Sequence, residues 1–426
     1  MKGSKGKTSH RWMTKIGLLV LALLLAVSCS IQPEHQITRE RLENLQGQIL
    51  VWVEIISTSK EVQTPTSHRE TAFTDIIENF KDLHPDAQVL VKFLPASQIW
   101  EQFESQVNRG AGPDILLVHA TPEILPFIQT GALRAIEDSE IDSSQFRSEA
   151  LKQVRYQGQL YGFPLYLSTQ VLCYNKDRVS ELPSTLPELL EQARQGYSVG
   201  VQSGFGETFW GAGIFGGQLF DARSRLILTQ GGGWARWMAW LKDAQNEPNF
   251  ILSNEAEVLQ DAFAEGRLAY LTCKPEWLPY FQEKLGQGSL GVKLLPGEAN
   301  QPATPILRSY GLLFNQYSST KQHRLALELA QFLSNVQQQK QVLIELLLNA
   351  SNKHVLLDES LFPLQSTLRQ QGRTAVALAL DNAEIIARVK DFSNSLYQQV
   401  IYGELAPDEA ATQLEQAVNP NLERGN

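Results

Sequence analysis

Apolar and polar positions change rhythm along the chain, and the changes mark its elements. Gln48–Ile56, QILVWVEII, is an almost unbroken apolar run of strand formers, as expected of a parallel strand buried on both faces. After a polar loop, Ser57–His68, the spacing lengthens: Phe73, Ile76, Ile77, Phe80 and Leu83 recur at helical intervals over Thr71–His84, and Pro85 stops the helix. Ala87–Leu94 is again a strand. Ser97 caps a second helix carrying Ile99, Phe103 and Val107, Gly110–Pro113 turns, and Asp114–Val118 is a third strand. This alternation predicts an α/β protein with a doubly wound parallel sheet, whose ligands bind outside the carboxyl ends of the strands.

Further along, Gly158–Asp177, GQLYGFPLYLSTQVLCYNKD, reads as one long strand bent at Pro164, with Tyr161, Phe163, Leu165 and Leu167 on one face and Tyr166 and Ser168 on the other. A short strand at Tyr197–Gln202 leads into the Gly- and aromatic-rich SGFGETFWGAGIFGG, 203–217. Trp234, Trp237 and Trp240 fall at i, i+3 and i+6 of a helix, the spacing of a core stripe. Ile306–Phe314 is a strand, His323–Leu348 is helical with a break near Asn335, and Thr374–Ala387 and Lys390–Tyr402 read as further helices.

Length then bounds the architecture. A chain of 426 residues exceeds one ordinary core and suits two lobes. Its 43% hydrophobic and 19% charged residues describe a globular protein. Net charge is −9, and residues 1–28, which hold five basic residues and no acid, leave −14 when removed; so acidic a body is a poor nucleic-acid partner. Those 28 residues have the form of an export signal: a basic segment to Lys15, then the twelve-residue apolar run Ile16–Val27, too short to span a membrane. Ser30–Gly47 follows as a polar tether without apolar period. Cys173 and Cys273 are one pair in an exported chain, either bridged across neighbouring strands or buried as free thiols. No Cys/His cluster suggests a metal, and no cofactor motif holds: Gly211, Gly213 and Gly216 satisfy GxGxxG by letter only, since the strand ends some nine residues too early for a dinucleotide fold.

Several ordered segments resemble one family, the periplasmic solute-binding proteins of ABC importers of the maltose-binding, carbohydrate type. They are GPDILLV (112–118), TGALRAIED (130–138), GQLYGFP with YNKD (158–177), LPSTLPELL (182–190), AFAEGRLAYLTCKPEW (262–277) and GVKLLPG (291–297). The resemblance implies a type II two-lobed fold, each lobe a mostly parallel sheet flanked by helices and joined by hinge strands. It places lobe 1 at 48–165 plus 312–360, lobe 2 at 166–311 plus 361–426, and the last crossing at Leu361–Leu364. Ala26-Val27-Ser28-Cys29 resembles a lipobox, making 1–28 a lipoprotein signal, Cys29 the acylated residue and 29–47 the tether, with an ordinary cleavage site as the plainer alternative. The implied protein is a lipid-anchored monomer on the periplasmic side of the bacterial cytoplasmic membrane or at the cell surface. It captures a small polar solute, foremost a sugar or sugar derivative, and passes it to a membrane permease.

Candidate ligand contacts follow from position and family together. Glu54 ends the first strand, His119 and Thr121 follow the third, Tyr166 and Ser168 lie on the crossing strand, and Tyr310 sits midway along the returning strand. Glu207 and Trp210 stand near the cleft mouth or fill the interface under their helix. Trp277 stacks on the ligand or caps the Pro275 turn, and Glu276 beside it accepts hydroxyls or is solvated. The residues after the third strand and in the crossing strand lack the Trp, Asp and acid of maltodextrin sites, which leaves a smaller sugar, a polyamine or another cation in play. A hydrolase, which needs a nucleophile with its base or two facing carboxylates, is disfavoured, because there is no GxSxG around Ser203, no HExxH, and only seven scattered His. A sensory or structural lipoprotein of the same fold is the remaining alternative.

Overall fold

A computed structural model describes residues 45–55, 68–286 and 288–418. The export signal, Cys29, most of the tether and most of the Ser57–His68 loop lie outside the described residues. Strand β1 (Gly47–Ile55) pairs in parallel with β2 (Ala87–Pro95) and β3 (Ile115–His119), and helices α1 (His68–Leu83) and α2 (Ala96–Val107) make the crossovers. The alternation read from apolar spacing is therefore the observed one. Phe73, Ile76, Ile77 and Phe80 bury one side of α1, and Ile99, Phe103 and Val107 bury one side of α2. Ser97 is no cap: α2 starts directly on the strand end, with Pro95 in the cap position.

The short helices α3 (Leu125–Gln129) and α4 (Ser148–Gln153) and the hairpin of β4 (Arg155–Tyr156) and β5 (Gln159–Leu160) lead to β6 (Gly162–Ser168), every residue of which is buried. The stretch expected as one bent strand is broken in two. β6 belongs to the first sheet, and β7 (Val171–Asn175) starts the second after a two-residue step at Thr169–Gln170. The boundary between lobes thus falls at 169–170 rather than 165–166.

In the second lobe come α5 (Leu186–Arg194), β8 (Val199–Gln202), α6 (Phe205–Ala212), α7 (Gly233–Gln245), β9 (Phe250–Ser253), α8 (Ala256–Ala264), β10 (Tyr270–Cys273), α9 (Leu278–Leu285) and β11 (Leu290–Lys293). Thr185 and Glu188 close a reciprocal capping box at the start of α5. The chain returns as β12 (Ile306–Phe314), which lies wholly in the first sheet, so the second boundary precedes Ile306 rather than Leu312. The two crossings are pinned together where Thr169 Oγ1 donates to the Ile306 carbonyl at 3.0 Å. Pro164, which has no N–H for the ladder, sits where the register of β6 on β12 slips between Tyr310 and Gly311.

Next come α10 (Thr320–Leu333), α11 (Val336–Glu345), β13 (Asn349–Ala350), α12 (Pro363–Thr374), β14 (Val376–Ala377), α13 (Ala383–Ile401) and α14 (Pro407–Val418). The break near Asn335 is real, since its side chain caps α11. The last crossing differs from expectation. Pro363 opens a helix that packs on both β11 and β13, with Leu368 in the core beside the disulfide, β14 then pairs with β12 of the first sheet, and α13 packs on the second lobe's helices. Of the two helices expected at 374–387 and 390–402, residues 376–377 form β14 instead, and Ala383–Ile401 is the single α13.

The seven-stranded sheet runs β13-β6-β12-β3-β1-β2, with β14 beside β12, and the five-stranded sheet runs β11-β7-β10-β8-β9. Each is parallel towards one edge, β3-β1-β2 in the first and β10-β8-β9 in the second, and antiparallel on the side that holds the crossing strands β6, β12 and β7. One face of the second sheet is an aromatic core in which Trp210, Trp234 and Trp237 are fully buried. Gly211 lies so close to Trp237 that an added Cβ would sit 2.2 Å from its ring, so the GxGxxG letters record helix packing. On the other face the sulfurs of Cys173 and Cys273 are bonded, with their Cα atoms 5.8 Å apart and 100 residues between them in sequence.

Candidate ligand-binding site

The carboxyl ends of β1 and β3 open into a cavity of about 420 Å³ between the two lobes, the place where such sheets bind ligands. Glu54, the penultimate residue of β1, accepts the His119 backbone N–H through Oε2 at 2.8 Å, and its Oε1 lies 2.8 Å from His119 Nδ1. A carboxylate can only accept, so Nδ1 carries its proton and Nε2 is the histidine atom left for other partners. The His119 ring leans on Tyr310, centroids 3.8 Å apart, and Tyr310 Oη donates to Glu276 Oε1 at 3.1 Å. Strand register puts His119, Tyr310 and Tyr166 in one row across β3, β12 and β6. Adjacent to this row, α2 contributes Trp100, half-buried and stacked on Phe127 at 5.0 Å with its ring 20° from parallel.

The second lobe answers with the start of α6. Phe205 lines the cavity with its backbone N–H donating to Asn394 Oδ1 at 3.2 Å, and Gln170 in the crossing donates to the Glu207 carbonyl at 2.9 Å. The Glu207 carboxylate stands between two cations, Lys274 after β10 and Arg308 on β12, each at 3.6 Å. Burial and the Arg308 charge press the Lys274 ammonium down to about 8, while Glu207 and Glu276 pull the other way. At the mouth, Lys390 of α13 reaches Glu123 at 3.2 Å. Burial acts upward on the Glu123 carboxyl, but the Thr121 hydroxyl, its own N–H and Lys390 outweigh it and hold it below the usual range.

Of the residues singled out from sequence, Glu54, His119, Thr121 and Glu207 line the cavity. Ser168 borders a small recess beside Lys274 and Arg308. Tyr166, Tyr310 and Glu276 are buried beneath the surface, the last two joining the lobes through their hydrogen bond. Two tryptophans are placed elsewhere. Trp210 has no exposed surface and packs on Trp237, and Trp277, 4% exposed, packs against Phe281 in the core beside the disulfide. Each follows from the same cause: a five-stranded sheet this small needs large rings to fill the space under its helices.

Sequence reasoning passed over Trp100, Glu123, Lys274, Arg308, Lys390 and Asn394, all on the cavity wall. Trp100 had a signal, because it lies next to the Ile99–Phe103–Val107 stripe but off it, one turn from the end of a strand. Arg308 had one too, as a lone charge in ILRSYGLLF. Lys390 and Asn394 had none, since only packing of α13 brings them near. Among the described residues no group of three His, Cys, Asp or Glu is placed to hold a metal ion.

Two lobes joined by crossing strands around a mixed polar and aromatic cleft define a binding protein of the hinged, two-lobed kind. The chain belongs to the family of bacterial extracellular solute-binding proteins, whose model matches residues 75–360. It is similar to a galactooligosaccharide-binding protein of Bacillus subtilis (strain 168), 24% identical over 291 residues that cover 64% of this chain and 68% of that one. A maltodextrin-binding protein of the same organism is 27% identical over 296 residues, covering 62% and 68%. Among solved structures, the GacH receptor of Streptomyces glaucescens, determined unliganded and with acarbose, matches with a TM-score of 0.75 at 20% identity, over 89% of this chain and 99% of that one. A cyclo/maltodextrin-binding protein complexed with maltotetraose gives 0.71 at 20% identity, over 89% and 98%.

Proposed function

We propose that the interlobe cleft captures a sugar or short oligosaccharide and presents it to the membrane subunits of an ABC importer. The observation that carries this reading is the joint wall of the cleft: the Trp100 ring from the first lobe, and Glu54, Glu207 and Arg308 converging on the same 420 Å³ space. A flat ring covers the apolar face of a pyranose, and charged acceptors and donors take its hydroxyls. Relatives that bind galactooligosaccharides and maltodextrins support the same class. The mechanism is binding without covalent chemistry. A ligand touching both lobes favours the closed arrangement, and the short crossings at Thr169–Gln170 and before Ile306 absorb the rotation.

A polyamine is the weaker reading, because Lys274, Arg308 and Lys390 line the same wall and would repel a polycation. We further propose that Cys29 is acylated and that the protein works as a monomer tethered outside the cytoplasmic membrane, a reading supported by the Ala26–Cys29 segment and the extracellular family. Titration calorimetry of the mature chain against maltotriose, a galactooligosaccharide and spermidine tests the ligand class. Saturable heat with either sugar, lost on Trp100→Ala, supports it. Heat with spermidine alone, or silence throughout from folded protein, overturns it in favour of another solute or of a fold kept without transport.

A further inference from the structure

A second cavity, of about 320 Å³, lies beside the crossings and apart from the aromatic wall of the cleft. Its apolar floor is Leu167 of β6 and Leu307 of β12, and its rim carries Arg147, Arg369 and Arg373. Arg147 precedes α4, whereas Arg369 and Arg373 are i and i+4 on α12, so they rise from the same helix face. A lone carboxylate, Glu149, lines the cavity against these three guanidiniums. The Arg147 Nε donates to the Ala350 carbonyl at 3.3 Å, and none of the three forms an ion pair among the described residues. Burial, then the charge of Arg369, and less strongly that of Arg373, lower the Arg147 pKa against a contrary pull from Glu149, so the cluster is felt as repulsion.

Like charges at i and i+4 cost a helix stability, and a half-buried arginine without a carboxylate partner adds to that cost. An arrangement of this kind is offset when an anion enters. Guanidiniums are planar forks that match the oxygens of a phosphate group, and three of them opposed by one carboxylate leave a net charge of two for a doubly charged oxyanion. We propose that this cavity is an anion site for a phosphate group, held by Arg147, Arg369 and Arg373, independent of the sugar cleft. The phosphate arrives either as a free ion or on an anionic lipid headgroup, and the lobe-bridging position of α12, which packs on both β11 and β13, makes the site a link between the two lobes.

The test is calorimetry of the unacylated mature chain with inorganic phosphate at low ionic strength, repeated for Arg369→Ala/Arg373→Ala and for Glu149→Gln. Sedimentation with phosphatidylglycerol or phosphatidylcholine vesicles runs in parallel. The expected result is saturable phosphate binding that weakens at least tenfold in the double variant and strengthens several-fold in Glu149→Gln, with the thermal midpoint of the double variant unchanged or raised. Sedimentation with phosphatidylglycerol alone, lost in the same double variant, keeps the proposal and names the headgroup as the source. Absence of both, or binding that all three proteins share equally, overturns it.

Discussion

The two lobes build opposite walls of one cleft by different means. In the first, the wall is made of strand ends: Glu54, His119 and Arg308 are held by ladder register, with Tyr310 buried behind His119, and their positions follow from where the strands stop. In the second, it is made of the start of α6, the segment after β10 and one side of α13, placed by packing on an aromatic core. Large side chains accordingly divide their labour. The first lobe leaves Trp100 at the cleft, while the second consumes Trp210, Trp234, Trp237 and Trp277 in its interior. Aromatic content near a cleft in sequence is therefore a poor guide to aromatic content of the cleft itself.

If that division is right, second-lobe changes should cost stability and first-lobe changes should cost binding. The largest effect is expected from Trp237→Ala, which empties a fully buried site and removes an indole donor bonded to the Thr208 carbonyl at 2.8 Å. Urea unfolding should show a loss of about 3–5 kcal/mol. Reducing the Cys173–Cys273 bond, which closes a 100-residue span, should lower stability by about 2–4 kcal/mol, read as a thermal midpoint with and without reductant. An unchanged midpoint would remove the bond from the description of that core.

Lys274 couples the two walls, and pH reads the coupling. Its folded value of about 8 lies below the ordinary 10.5, so between these the unfolded chain binds more protons and stability rises with pH. The rise should reach at most about 3 kcal/mol across that window and vanish in Lys274→Met, measured as the difference between the two proteins' urea midpoints at pH 7 and pH 10. In Glu207→Gln, where an anion that favours the charged ammonium is gone, the rise should begin at lower pH. The smallest stability effect is expected at Trp100→Ala, about 1 kcal/mol, although sugar affinity should fall about tenfold or more. A stability loss there as large as that at Trp237 would break the contrast between the lobes.

What could be read without coordinates followed one physical rule. Segments whose burial is set by local periodicity were placed well: the parallel unit at 47–119, the strand at 306–314, the capped break at Asn335 and the tryptophan stripe of α7. Errors gathered where a short polar step decides the path. Thr169–Gln170 divides an apparently continuous strand between two sheets, and Pro363 begins a helix that touches both lobes before the chain returns to β12.

Sequence by itself determined the α/β alternation and the strand-end places of Glu54 and His119, because period-two and period-3.6 patterns report which face each element buries, while length and charge set the two-lobe scale and the acidic body and the ordered segments carried the resemblance to the family. Only the tertiary structure decided which aromatics line the cleft, that Arg308 and Lys274 share Glu207, and that Arg147 meets Arg369 and Arg373 at one cavity across more than two hundred residues of chain. Those facts depend on contacts between elements remote in sequence. Local spacing carries no record of them, since the side chain that fills a core and the one that fills a cleft obey the same apolar pattern until their partners are in place.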